Sequence, residues 1–204
     1  MPSGRDGHSR ALRAAGLDRV EIRETGDKLT FTGHAAVFNR LSDDLGGFKE
    51  RILPGAFGPV LNTNPDVRFL SLDHGGLPLA RTSSGTMELR EDPTGLSVVA
   101  ELAPIQASRD LKVLIQRKDL SQMSFGFSMG DTGQETWTEE DGQLVRTISQ
   151  FGRLFDVSPV TFPAYQQTDA SMRALALAEA KRFPRLAQRR LRLLELQPSL
   201  RRSA

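Results

Sequence analysis

The chain is 204 residues long, 38% hydrophobic and 25% charged, enough for one well-buried core and short for two. It holds no cysteine, which excludes disulfides, thiolate metal sites and a cysteine nucleophile, so a nucleophile must be an oxygen or an amine. The formal net charge of +2 hides an asymmetry. Lys181, Arg182, Arg185, Arg189, Arg190, Arg192, Arg201 and Arg202 crowd the end against Glu195, and the remainder is net acidic. That distribution argues against a domain with a basic nucleic-acid-binding face, and leaves the tail alone to touch an anionic surface.

From Met1 to Asp18 the sequence is polar and without apolar period, which predicts a mobile lead-in and no secretory signal. No run approaches the roughly 18 apolar residues of a membrane helix, so a soluble protein is expected. Two strands are predicted at Arg19 to Glu24 and Lys28 to Asn39, joined across Thr25-Gly26-Asp27, with Leu29, Phe31, Gly33, Ala35 and Val37 at period two. Phe48 to Phe57 reads as an extended segment ending in a Pro54-Gly55 turn and a short helix. The strand Val67 to Leu72 runs into Asp73-His74-Gly75-Gly76, and Pro78 to Arg81, Gly85 to Arg90 and Gly95 to Leu102 form a meander.

From Ser108 to Lys118 the period changes, with Leu111, Leu114 and Ile115 at helical spacing and Ser108 as the expected N-cap. A strand Ser121 to Met129 follows, then a hairpin of Glu135 to Thr138 and Leu144 to Gln150 about Glu139-Glu140-Asp141-Gly142, then a strand Arg153 to Thr161. A last helix from about Ala170 to Glu195 is interrupted at Pro184. The division is a lead-in of residues 1–18, a domain of residues 19–172 and a basic helical tail of residues 173–204. Many short strands with a few helices predict a mixed, mainly β fold, a small closed or nearly closed β-barrel with α-helices packed outside.

In Met123-Ser124-Phe125-Gly126-Phe127-Ser128-Met129 the apolar side chains alternate with small polar ones, so a strand places Ser124, Gly126 and Ser128 on one face. Ser124 is then displayed away from the aromatic side, with Gly126 leaving room for a substrate backbone. An ordinary half-exposed strand has the same pattern. A serine hydroxyl needs a positioned base, usually imidazole, and the chain has three histidines. His8 lies in the lead-in and His34 inside a strand, whereas His74 follows a strand directly and precedes two glycines, where a side chain can lean into a cleft or simply be solvated. Asp156, set within an otherwise apolar strand, is costly unless partnered. It is the candidate third member, against a water-facing position or a pairing with Arg153. Asp73 is a second candidate, although neighbours on an extended chain point apart. Trp137 and Tyr165 read as packing residues, and Glu139, Glu140 and Asp141 as a solvated turn. The sequence has no phosphate loop, Rossmann glycine pattern, helical pair of zinc-binding histidines or Gly-x-Ser-x-Gly elbow.

Five strings, Gly33-His34-Ala35-Ala36-Val37-Phe38-Asn39, Ile52-Leu53-Pro54-Gly55-Ala56-Phe57, Leu72-Asp73-His74, Met123-Ser124-Phe125-Gly126-Phe127 and Val157-Ser158-Pro159-Val160-Thr161-Phe162-Pro163-Ala164-Tyr165, occur in an order that resembles the tailed-phage prohead maturation proteases. The fold of that family is related to the herpesvirus assemblins. The resemblance spans about Val20 to Met172. It places the nucleophile on Ser124 and the catalytic histidine on His74. The family usually carries glutamate where Asp156 stands, so a shorter side chain must reach the imidazole. His34 falls where the family often has an aromatic residue and receives no catalytic role.

The resemblance implies an assemblin-like barrel and a serine endopeptidase, without metal or organic cofactor, acting in the host cytoplasm inside the immature capsid. There it would remove scaffold sequence from the major capsid protein and cleave itself, as a homo-oligomer with the portal as a further partner, and with no membrane or specific nucleic acid. The tail after about Ala174 would dock to scaffold or shell, or be a self-cleaved extension. Two other classes stay open: a catalytically silent capsid scaffold of the same fold, and a nucleic-acid-associated protein using the arginine tail.

Overall fold

In the computed structural model, which describes residues 11–16 and 20–161, tight turns set the strand boundaries. Strands β2 (Glu21–Thr25) and β3 (Lys28–Val37) pair from Thr25 to Lys28 around Gly26-Asp27. Gly26 takes φ 61° in the first central position, where a type II′ turn needs glycine. Strand β4 (Lys49–Ile52) and helix α1 (Gly58–Leu61) flank the Pro54-Gly55 turn. Strands β5 (Arg68–Leu72), β6 (Gly75–Arg81), β7 (Met87–Glu91) and β8 (Gly95–Leu102) follow, but the expected meander is not formed: β6 pairs with β5 and β7 with β8, in different sheets.

Helix α2 (Gln106–Gln116) begins before Ser108, and its N-cap is Ile105, with no side-chain cap. Local pairs start it instead: Gln106 Nε2 donates to Asp110 and Arg109 Nε to Gln106, the spacing at which helical side chains meet. Ser108 is inside the helix and fully buried, so the expected cap is corrected. Strands β9 (Gln122–Ser128), β10 (Gln134–Glu140), β11 (Gln143–Gln150) and β12 (Arg153–Val160) complete the domain. The β10–β11 turn is Asp141-Gly142, both with positive φ (50° and 76°), the type I′ geometry.

The strands form three sheets. A three-stranded sheet runs β10-β11-β4 and a four-stranded one β2-β3-β8-β7. Strand β1 (Ala11–Gly16) falls in the stretch expected as a lead-in, pairs antiparallel with β9 and opens a five-stranded sheet of order β1-β9-β12-β5-β6. Backbone bonds to an existing edge need no alternating apolar pattern, which is why no period marked this strand. The predicted tail helix lies outside the described residues.

The expected closed barrel is not found among the described residues. Mainly β is right; closure is not. Period two specifies which face of a strand is buried and says nothing of its neighbours. β6 ends the five-stranded sheet, with Pro78 unable to donate a ladder bond and register shifts at Phe69/Leu70 and Leu70/Leu72. The sheets share one core instead. Phe31 meets Phe69 edge-on at 4.8 Å, and the aromatic face of β9, Phe125 and Phe127, packs on Phe57 and Phe151, with Phe57 stacked on Phe151 at 4.5 Å. Such pairs contribute about 0.5–1.5 kcal/mol each beyond area burial, and they make β9 a fixed strand from which a polar side chain can project.

Candidate active site

Three strands position the candidate side chains. β9 and β12 are antiparallel with Ser124 opposite Ser158 and Asp156 opposite Gly126. Asp156 and Ser124 are therefore diagonal neighbours on one sheet face, separated by about the span of an imidazole. Gly126 has no side chain to fill the space between them. On its other edge β12 runs parallel to β5, but the two pair only at Asp156 with Arg68 and Val157 with Phe69. Beyond that the regular ladder to β12 stops, and β5 stays paired with β6 to Leu72 before the chain reverses.

The reversal is a two-residue turn. Leu72 pairs with Gly75, and the central residues Asp73 and His74 take φ 47° and 58°, as a type I′ turn requires. Each non-glycine residue in this region costs roughly 1 kcal/mol or more, so the surroundings must hold it. Gly76 follows at φ 72°, and a Cβ there would lie 2.2 Å from Ser71 Oγ. That hydroxyl accepts from Leu77 N–H at 3.1 Å, which fixes the turn to its own hairpin.

From this turn the His74 ring reaches both strands. Nδ1 lies 2.5 Å from Asp156 Oδ1, and Nε2 lies 2.6 Å from Ser124 Oγ. With the carboxylate as acceptor, Nδ1 carries the proton and Nε2 accepts from the serine hydroxyl. All three groups are buried: the side chains of His74 and Asp156 are 7% and 3% exposed, and Ser124 is 1% exposed. Low local dielectric strengthens such a chain of hydrogen bonds. The sequence expectation of a displayed Ser124 needs correction here. Alternation distinguishes two faces but cannot say whether the polar one meets water.

The other candidates lie elsewhere. Arg153 sits over the Phe155 ring at 5.0 Å. Asp73 turns away from the imidazole, its Oδ1 accepting from Thr161 N–H at 2.9 Å and its Oδ2 from the Thr161 hydroxyl at 3.0 Å. His34 Nε2 meets Asp92 Oδ2 at 2.7 Å and ties β3 to the β7–β8 turn. Burial opposes the charged form of Asp92, but hydrogen bonds from His34, Gly95 and Thr94 outweigh it and hold its carboxyl below the ordinary aspartate value. Ser158, fully buried, accepts from His74 N–H at 3.2 Å. The sequence reading quoted it only within a longer string. A small polar residue at period two from the buried Asp156 was the signal that could have found it.

Among the described residues no three His, Cys, Asp or Glu side chains cluster as a metal site. No described helix is long and apolar enough to cross a membrane.

No curated protein matches the chain. Among solved structures, the capsid assembly protease of bacteriophage T4 is similar to it with a TM-score of 0.43 and 12% identity, over 74% of this chain and 97% of that one. The model of the caudovirus prohead serine protease family matches residues 18–183, a span that holds β2 through β12 and the buried Ser124, His74 and Asp156. A match over that much of the sequence settles the kinship: the chain belongs to the caudovirus prohead serine proteases.

Proposed function

We propose that this chain cleaves the major capsid protein, and itself, inside the immature capsid, with Ser124 as nucleophile, His74 as general base and Asp156 as its orienting carboxylate. One observation carries the reading: a single imidazole bonds a carboxylate at 2.5 Å through Nδ1 and a serine hydroxyl at 2.6 Å through Nε2. That arrangement supplies the base and the tautomer that a serine nucleophile needs.

In the first half-reaction Ser124 Oγ attacks the scissile carbonyl carbon while His74 Nε2 takes the hydroxyl proton. The carbon–nitrogen bond then breaks as the imidazolium returns that proton to the leaving amine, and an acyl-serine remains. Water enters, gives a proton to Nε2 and attacks the ester. The carbon–oxygen bond breaks and Ser124 recovers its proton. Asp156, held against Nδ1, stabilises the imidazolium in both halves.

The test is reaction with a fluorophosphonate, located by peptide mass. Modification of Ser124 in the wild type and none in His74→Ala is the expected result. A wild type that stays unmodified while folded favours the silent scaffold instead.

A further inference from the structure

The base of the proposed triad stands on a backbone that its own sequence does not favour. His74 and the preceding Asp73 both lie at positive φ, a conformation in which a turn tends to relax unless its surroundings over-determine it. Three groups from β12 and its end meet the turn. Pro159 O accepts from Asp73 N–H at 2.9 Å. Ser158 Oγ accepts from His74 N–H at 3.2 Å, and its hydroxyl lies 3.0 Å from Pro159 O and 3.2 Å from Leu70 O. Thr161 gives both its N–H and its hydroxyl to the Asp73 carboxylate.

From this we propose that Ser158 and Asp73 are positioning residues for His74, clamping the turn to β12 so that the imidazole keeps register with Ser124 and Asp156. The inference rests on the proposed function above. Ser158 is suited to the part because it stands opposite Ser124 in the ladder and is fully buried. One strand therefore fixes the heights of nucleophile, carboxylate and base together. Asp73, which sequence reasoning weighed as an alternative orienting acid, acts here through backbone geometry and has no contact with the ring to carry a catalytic role.

The clamp has a signature that a merely structural residue lacks. A short Nδ1–H bond to Asp156 moves that proton far downfield and protects it from exchange, and with three histidines in the chain it can be assigned by ¹⁵N-histidine labelling. The experiment uses the full chain, wild type against Ser158→Ala and, at the exposed end of the clamp, Asp73→Gly, which removes the carboxylate that Thr161 bonds and tolerates the positive φ. In both variants the His74 signal should broaden or exchange faster. The kcat, or the rate of Ser124 modification by fluorophosphonate, should fall roughly tenfold or more with KM within about twofold, as a displaced catalytic group implies. A protected signal that persists in a folded Ser158→Ala overturns the clamp, and so does a lower melting temperature with signal and rate unchanged. If Ser158→Ala does not fold, the same readings on Asp73→Gly decide. Should the wild type neither cleave nor react, the protease reading fails, and the proton signal still decides the clamp by itself.

Discussion

Asp156 and Ser124 reach one imidazole from adjacent strands because Ser124 stands opposite Ser158 and Asp156 lies two residues before Ser158 on the same face. The short aspartate side chain reaches the imidazole at 2.5 Å because the His74 turn lies beside β12. A longer side chain would have to fold back or push the ring from Ser124. Asp156→Asn should therefore lower cleavage about 10³–10⁴-fold through the wrong tautomer. Asp156→Glu should keep the charge yet lose roughly tenfold from displacement of the base. Steady-state cleavage of a capsid-derived peptide compares the two, and equal activity of Asp156→Asn and wild type contradicts the role given to Asp156.

Arg146 is 4% exposed and shares its guanidinium between Glu50, itself 3% exposed, at 3.0 Å and Glu135. Removal of the arginine takes this cationic partner from the buried Glu50 carboxylate. Arg146→Ala should destabilise the fold by about 3–5 kcal/mol, far more than Arg23→Ala, whose partner Glu21 is exposed. Urea titrations of both variants against wild type provide the check.

A Cβ on Gly95 would lie 1.9 Å from Ala36 O, and the opposing atom is backbone of β3, paired with β8. It cannot move without opening the ladder. Gly95→Ala should lose about 2–3 kcal/mol or more, while the same change at Gly26, with nothing near its Cβ, should lose less and only through its positive φ. Thermal melts of the two variants separate steric overlap from turn strain.

Asp92 and Asp44 are both held below the ordinary aspartate value, Asp92 against the opposing effect of burial by hydrogen bonds from His34, Gly95 and Thr94, and Asp44 by the N–H groups of Gly47 and Gly46. A depressed folded pKa gives stability that is present above the unfolded value, about 3.9, and is lost as pH falls through the folded one. The protein should therefore lose stability on acidification below about pH 4. Asp92→Asn should be less stable than wild type at pH 7 and should flatten that slope. Denaturant midpoints from pH 7 to pH 2.5 measure both.

Most strands were legible because alternation and turn residues mark them, as at Gly26-Asp27 and Asp141-Gly142. Their neighbours were not. Nothing in the period of Val67 to Leu72 says that β5 lies between β12 and β6, and that placement is what sets the His74 turn beside β12. The three candidate residues were nominated by chemistry and by resemblance, yet the surroundings of Ser124 were misread. A strand face of serines and glycine looks solvated in sequence and is covered here by the histidine turn. Ser158 shares the period of Asp156, but its bond to the His74 N–H and those of Asp73 to Thr161 depend on tertiary approach.

Whether this chain removes part of a capsid protein through Ser124 is decided by co-expressing it with the major capsid protein of its phage, wild type against Ser124→Ala, and recording intact masses of both polypeptides. Loss of a defined capsid-protein segment with the wild type alone is the predicted result. Unchanged masses in both, with shells still assembling, would contradict it and leave a scaffold of protease fold.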